Sequence, residues 1–370
     1  MNVLMVTPHL PPHQAANALL PHLLGGALRA RGHEVRFLTL GDGPDREDVV
    51  FVRRRSRRLR VTRVPQALEA AETYFKAAPL IRRAHVVHVH SSTWVNQVAA
   101  RLAGRRGKPY LLTHYGTEIW HYDGERAAFR ELNARARHVT FYSQALLERA
   151  LELRVPLPSA SVVYPPVADA FRELPAEQRA ALRRRLLDGA AGALLVNVKR
   201  LHPLADQATL LEALARVRRE RDEVRLLIAG SGERERELKA RARALGLGDA
   251  VRFLGLVPNS EIAERTAAAD LFVLSSLLEA TPTVALEALA CGTPVLSTDN
   301  PGGTELGALF GDDVAVVPRA DPEALAAGIL AFLAAPRRTR PATAETLAGR
   351  FRLDGVAERY LSLYKEISAA

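Results

Sequence analysis

Two α/β domains, each a parallel sheet wound on both faces by helices, are what the sequence predicts, and three observations carry that reading. The chain has 370 residues, more than a single core comfortably serves. Short apolar runs alternate with helix-patterned stretches from end to end, as parallel strands joined by crossover helices do. The alternation halts at a proline-bearing stretch from Val155 to Pro166 and restarts at Ala193.

In the first half, Val3–Val6, Val35–Leu40, Val86–His90, Tyr110–Thr113 and Val139–Tyr142 have the length and apolar density of buried strands. Ala27–Arg31, Gln66–Ala77 and Gln144–Leu153 lie in helix-like segments between them. Ser161–Tyr164 is a last strand before the crossing, which runs on through Pro175. The second half reads Ala193–Val198 as strand, Gln207–Arg219 as helix, Val224–Ala229 as strand and Arg234–Leu245 as helix. Val251–Leu254, Ile262–Ala268, Leu271–Leu274, Thr283–Ala290 and Pro294–Ser297 continue the alternation. A closing amphipathic segment sets Val356, Tyr360, Leu363, Tyr364 and Ile367 on one face. Ligands of such sheets bind beyond the carboxyl ends of the strands, which directs attention to the loops there.

Composition narrows the partners. Apolar residues make up 48% and charged residues 25%, the balance of a globular chain. The formal charge is +10 and nearly all of the positive residues are Arg, which suits an anionic ligand or surface. The densest run, Arg53-Arg54-Arg55-Ser56-Arg57-Arg58-Leu59-Arg60, reads either as a solvated loop or as contact with an anionic membrane surface. Nucleic acid is a poor fit, because no zinc-finger spacing, aromatic platform or recognition-helix context accompanies the arginines. Cys291 is the only cysteine, so neither an internal disulfide nor a cysteine metal cluster can form. No apolar run reaches membrane-spanning length and the first residues read as a strand rather than a leader. A cytoplasmic protein, peripheral to the inner face of a membrane if the arginine run docks there, is the expectation.

The chemistry concentrates in Leu271–Val295. A buried strand enters a short loop and then a helix, with Thr281 as the expected N-cap, Pro282 as first helical residue and Gly292 as the stop. The amides of Ala280–Thr283 at the positive end of that helix favour a phosphate or an electron-rich oxygen. Glu279 precedes this end and Glu287 lies about 9 Å along the helix from Thr281. That separation suits one carboxylate on a sugar and the other on a ribose across a diphosphate.

Glu279, Glu287 and Ala290-Cys291-Gly292-Thr293-Pro294 resemble the signature of retaining glycosyltransferases of the GT-B fold, family 4 (group 1) type. The resemblance implies two Rossmann-like domains facing a central cleft: an acceptor-side domain over 1–172, a donor-binding domain over 173–352, and a helix 353–370 packing back on the first. It further implies that Glu279 holds donor-sugar hydroxyls, Glu287 the ribose hydroxyls, and Ala280, Thr281, Pro282 and Thr283 the sugar through their loop. Val196-Asn197-Val198-Lys199-Arg200-Leu201 looks like the strand that brings Arg200 to the donor diphosphate. Lys199 stands ready to substitute for a lysine that relatives carry where this chain has Ala205. Gly230 matches a second glycine turn, and Leu254–Pro258 the segment that lines the base.

On the acceptor side, Thr113-His114-Tyr115-Gly116-Thr117-Glu118 resembles the family's cleft-facing turn, with His114 near the donor sugar and Glu118 orienting it or the acceptor. Ala15 and Ala16 stand where relatives have a glycine pair approaching the diphosphate. His85, His88 and His90 alternate along a strand and read as structural rather than as a metal site. No Asp-x-Asp pair occurs, and a fixed cation can take a metal's place at a leaving diphosphate, so neither metal nor cofactor is expected. The implied reaction moves a sugar from a UDP- or GDP-sugar to a hydroxyl of a lipid, glycan or small molecule. A non-catalytic sugar-nucleotide or membrane-surface binder and a GT-B-fold epimerase are the alternatives.

Overall fold

The computed structural model describes residues 1–13, 16–55, 64–124 and 126–369, with residues 16, 64 and 65 described by backbone alone. Ala15, Arg57, Arg58 and Arg60 lie outside the described residues. Two compact units make up the chain: Met1–Pro166 together with Leu353–Ala370, and Val167–Arg352. Residues 167–172 go with the second unit rather than the first, because the Val167 N–H donates to Phe351 O at 2.8 Å and Phe171 is buried.

The first unit is a seven-stranded parallel sheet in the order β3-β2-β1-β4-β5-β6-β7. Its strands are β1 (Asn2–Thr7), β2 (Glu34–Leu40), β3 (Val49–Val52), β4 (Val86–His90), β5 (Tyr110–His114), β6 (His138–Phe141) and β7 (Ala160–Val162). The second unit is a six-stranded parallel sheet in the order β10-β9-β8-β11-β12-β13. Its strands are β8 (Leu194–Val198), β9 (Arg225–Ala229), β10 (Val251–Gly255), β11 (Leu271–Leu274), β12 (Val295–Thr298) and β13 (Val314–Val317). Both sheets are flanked by helices, as the sequence predicts. Two strands go beyond the sequence reading, β3 and β13, each only four residues long, at a sheet edge and next to acidic residues that read as loop.

Helix packing accounts for one of the two glycines of Ala16–Ala30. A Cβ on Gly25 would stand 2.6 Å from the Phe37 ring, whereas one on Gly26 would meet nothing within 4 Å. Close packing against β2 therefore rests on the first glycine alone.

The helix Leu353–Ala369 completes the first core. Val356, Tyr360, Leu363, Tyr364 and Ile367 are all buried there among Val3, Met5, Val86 and Leu111. Two tyrosines also carry polar links into the sheet. Tyr364 Oη lies 2.6 Å from His88 Nδ1, and His88 Nε2 lies 2.7 Å from Thr113 Oγ1. Tyr360 Oη reaches Thr140 Oγ1 at 3.4 Å. Burial drives His88 well below the ordinary imidazole range and His90 down to about 3, so both stay neutral and serve as hydrogen-bonding struts. The third histidine, His85, accepts the Asn2 N–H through Nδ1 at 2.8 Å. No group of three or more His, Cys, Asp or Glu is placed to hold a metal ion among the described residues.

Replacing Tyr364 by Phe strands His88 Nδ1 in the core, and the expected cost is about 1–3 kcal/mol. Both tryptophans, Trp94 and Trp120, belong to the first unit, so fluorescence-detected urea unfolding reads that unit directly. An unchanged midpoint in the Tyr364→Phe variant would show that the strut carries no load.

Candidate functional site

In the second unit the strand order runs outward from β8 in both directions, so β8 and β11 are neighbours whose connections leave to opposite faces. A crevice at the carboxyl ends of two such strands is where doubly wound sheets take ligands. Lys199 and Arg200 follow β8 there, and Ser275 to Glu279 follow β11.

The two cations part company at the strand exit, since successive residues of extended chain point to opposite sides. Lys199 turns inward, and its Nζ lies 2.5 Å from Glu279 Oε1, whose side chain is only 10% exposed. Arg200 turns outward at 71% exposure, and its Nη2 pairs with Glu233 Oε2 at 3.1 Å. The same carboxylate lies 3.5 Å from His202 Nε2. Lys199, rather than Arg200, is thus the cation that meets Glu279. Their contact is one of charge, because the buried Oε1 accepts no well-directed hydrogen bond. Ala205 is buried, with its carbonyl accepting from Ser275 Oγ at 2.8 Å, so this turn braces the loop after β11 instead of presenting a cation.

Glycine fixes the crevice's other wall. The N–H of Lys199 donates to Ala229 O and that of Leu201 to Ser231 O, both at 3.0 Å, so the chain after β9 lies flat against the β8 exit. A Cβ on Gly230, whose φ is +134°, would stand 2.1 Å from Lys199 O. Only glycine allows that approach. The Gly230 N–H donates to Gly255 O at 2.8 Å, which joins the turn to the exit of β10, where Leu256 stands 66% exposed.

The helix Thr283–Ala290 starts one residue later than the sequence suggests, with Pro282 rather than Thr281 in the cap position and no side-chain cap. The reason lies in the neighbouring helix Pro301–Phe310. Its Gly302 N–H donates to Glu279 O at 3.1 Å, and a Cβ on Gly302 would stand 2.8 Å from both Ala280 O and Pro282 Cδ. The loop is pinned through Pro282, and Thr281 is carried out of cap register. Asn300 secures the arrangement. Its Oδ1 accepts from the Gly303 N–H at 2.8 Å and its Nδ2 donates to Ser276 O at 3.1 Å. Sequence reasoning passed over Asn300 and Gly302, although Asn-Pro-Gly-Gly directly after a strand is a helix-start signal.

Glu287 sits one turn into that helix, and its carboxyl forms no hydrogen bond or ion pair among the described residues. Burial of its carboxyl pushes it up to about 8, against the pull of the Lys199 cation. Cys291 is buried as well, pushed up to about 12 by burial and by Glu287, and its thiol faces Ala263 O at 3.6 Å. It is packing, not a nucleophile.

His114 in the first unit departs from expectation. Its ring is fully buried, with Nδ1 3.3 Å from Glu118 Oε1 and Nε2 2.8 Å from Asn133 Oδ1. Both nitrogens are spent inside the protein, so the side chain braces the turn instead of facing a ligand. Burial would raise the Glu118 carboxyl, but the His114 hydrogen bond and charge, with the Tyr115 N–H at 3.1 Å, outweigh it and hold Glu118 low. Ala16 opens the helix Ala16–Ala30.

Two family models match the chain: "Glycosyl transferases group 1" over residues 179–346 and "Glycosyltransferase Family 4" over residues 22–171. The chain belongs to the family 4, group 1 glycosyltransferases. Among its curated relatives, the D-inositol 3-phosphate glycosyltransferase of Geodermatophilus obscurus is 37% identical over 226 residues, 58% of this chain and 50% of that protein. A GDP-mannose-dependent alpha-(1-6)-phosphatidylinositol monomannoside mannosyltransferase of Mycobacterium tuberculosis is 29% identical over 327 residues, 82% of each chain. The match to the first of these relatives spans about half of its length. Anabaena Alr3699/HepE, solved in complex with UDP, superposes with a TM-score of 0.79 at 19% identity, covering 99% of this chain and 100% of the other. That likeness gives this family member the GT-B fold of two Rossmann-like domains.

A carboxyl raised from 4.5 to about 8 holds its proton more tightly in the folded state, so its contribution to stability falls as pH rises between those values. Glu287→Gln removes that dependence. The variant is expected to gain on wild type by on the order of a few kcal/mol in going from pH 5 to pH 8.5. Thermal unfolding across that range is the check, and parallel curves would show that the carboxyl titrates normally.

Proposed function

We propose that the chain transfers a glycosyl unit from a UDP- or GDP-sugar to a hydroxyl acceptor, with retained anomeric configuration and without a metal ion. The observation that carries the reading is the meeting of Lys199 and Glu279 at the β8/β11 switch point, with Glu287 on the helix that follows. A diphosphate entering there draws the Lys199 ammonium, and Glu279 is released to accept hydrogen bonds from the donor sugar. Arg200, exposed and held only by a surface carboxylate, adds a second cation to the same diphosphate. Stabilising the leaving diphosphate is then the work of fixed cations and of the first-turn amides of Thr283–Ala290. Glu287, protonated for the most part at neutral pH, grips ribose hydroxyls without repelling the neighbouring phosphates. Gly230 keeps the wall thin, and the exposed Leu256 offers the base an apolar face. Glu118, steadied by His114, orders the acceptor-side turn.

The acceptor side favours an anionic membrane surface. Beside the described arginines Arg53–Arg55, the helix Val64–Arg83 leaves Leu68, Tyr74 and Phe75 exposed, Phe75 by 74%. Basic and apolar groups side by side suit a lipid interface. The M. tuberculosis relative is named for a phosphatidylinositol monomannoside, and an alpha-monoglucosyldiacylglycerol synthase of Streptococcus pneumoniae is 33% identical over 107 residues. No helix among the described residues is long and apolar enough to cross a membrane. A cytoplasmic enzyme working at the inner membrane face accommodates all of this.

Calorimetric titration with UDP, GDP and ADP, without added metal, tests the donor site. One nucleotide is expected to bind selectively, and about tenfold more weakly to Glu287→Ala. Absence of binding by all three would remove the basis of the reading. Turnover, once the matching NDP-sugar is in hand, is expected to survive EDTA and to fall about 100-fold in Lys199→Met. Loss of activity on chelation would return the diphosphate to a metal.

A further inference from the structure

Within the first unit, at the carboxyl ends of β1 and β2, a cavity of about 570 Å³ opens between His9, His13, Leu40, Asp42 and Arg54. That is ample for a polyol or sugar bearing a charged group. The residues around it are ordered by the backbone. Thr7 Oγ1 donates to Asn17 O at 2.5 Å, and the His13 N–H donates to Leu10 O at 3.1 Å, closing a turn. That turn stacks the His13 ring on His9, with centroids 4.1 Å apart and planes 4° from parallel.

Arg54 sets the cavity's character. Its Nη2 lies 3.2 Å from His9 Nδ1, and a guanidinium can only donate, so Nδ1 is the acceptor and His9 carries its proton on Nε2. Burial, then the nearby His13 and Arg54, hold His9 down at about 4, so the ring stays in that neutral form. Arg54 has no carboxylate partner among the described residues. The neighbouring acids are committed elsewhere: Glu72 pairs with Arg55 at 2.5 Å and with Lys76 at 3.3 Å, and Asp45 with Lys76 at 3.1 Å. Asp42, on the rim and exposed, is the one carboxylate lining the cavity among the described residues. A guanidinium without a counter-ion, an imidazole N–H and a stacked second histidine, gathered around an open space, are the equipment of an oxyanion site.

We propose that this cavity receives a phosphate group carried by the acceptor, with Arg54 and His9 Nε2–H as its donors. The proposal rests on the first unit being the acceptor side, and its chemistry is common to a soluble polyol phosphate and a phospholipid headgroup. It also separates two roles within the arginine run: Arg55 is a structural partner of Glu72, whereas Arg54 reads the ligand.

The test uses the full chain and two probes: glycerol 3-phosphate, followed by calorimetry, and vesicles of phosphatidylglycerol beside phosphatidylcholine, followed by sedimentation. Wild type is expected to bind glycerol 3-phosphate or to sediment with the anionic vesicles alone. Arg54→Ala should lose at least about tenfold in affinity, the worth of one charge-assisted contact, and Arg54→Lys should recover part of it. Asp42→Asn should tighten binding. Calorimetric binding of glycerol 3-phosphate marks a soluble acceptor phosphate, and Arg54-dependent sedimentation without it marks a headgroup. An Arg54→Ala variant that binds either probe as wild type does, or a wild type that binds neither, overturns the proposal. Nucleotide titration of the same variant keeps this result apart from the donor reading. UDP or GDP binding should be unchanged by Arg54→Ala, and a chain that binds no nucleotide yet holds glycerol 3-phosphate through Arg54 would sink the donor site while sustaining this one.

Discussion

A parallel strand covered by helices on both faces can offer chemistry only at its ends. In the second unit β8, β11 and β12 are buried along their whole length, and the site's polar groups lie on the chain that follows them, Glu287 farthest out, in the helix after β11. Lys199 follows β8, Gly230 follows β9, Glu279 lies beyond β11 and Asn300 beyond β12. Because β8 and β11 adjoin while their connections diverge, these ends leave a gap that no crossover fills. The rest of the site is a way of holding groups at the rim of that gap.

Backbone does most of the holding. Glycines at 230 and 302 let main chain lie against main chain at distances a methyl group would forbid. Asn300 and Ser276 tie the loop after β11 to the start of the next helix through buried hydrogen bonds. Two carboxyls can then sit in poorly hydrated positions without unsettling the unit. One is compensated by Lys199, and the other keeps its proton. That division of labour leaves the site with a single internal ion pair and little net negative charge, which is what a polyanionic ligand requires.

Much of this was legible in the residues. Val-, Ile- and Leu-rich runs gave the interior strands, because strands buried on both faces cannot alternate with polar residues. The edge strands β3 and β13 escaped, being short and bounded by acids. Glu279, Glu287 and Lys199 lie close in space as well as in pattern, but the sequence could not say which of two adjacent cations would turn inward; the parity of the β8 exit decided it. His114 shows the opposite case. At a strand end, in a turn resembling a cleft-facing one, it reads as lying near the donor sugar, and the aromatic rings of Phe129 and Phe141, distant in sequence, pack against it in the interior. Thr281 lost the cap position to Pro282 because a partner helix, not local propensity, set the loop.

The first core is assembled from two stretches of chain separated by the whole second unit. During synthesis, residues 1–166 leave the ribosome with the seat for Tyr360 and Tyr364 empty, its apolar floor of Val3, Met5 and Leu111 still open and His88 without its phenol. Nearly two hundred residues must follow before the helix Leu353–Ala369 arrives to close it. Of the two units, the one whose first strands come earlier is therefore the one whose core closes later.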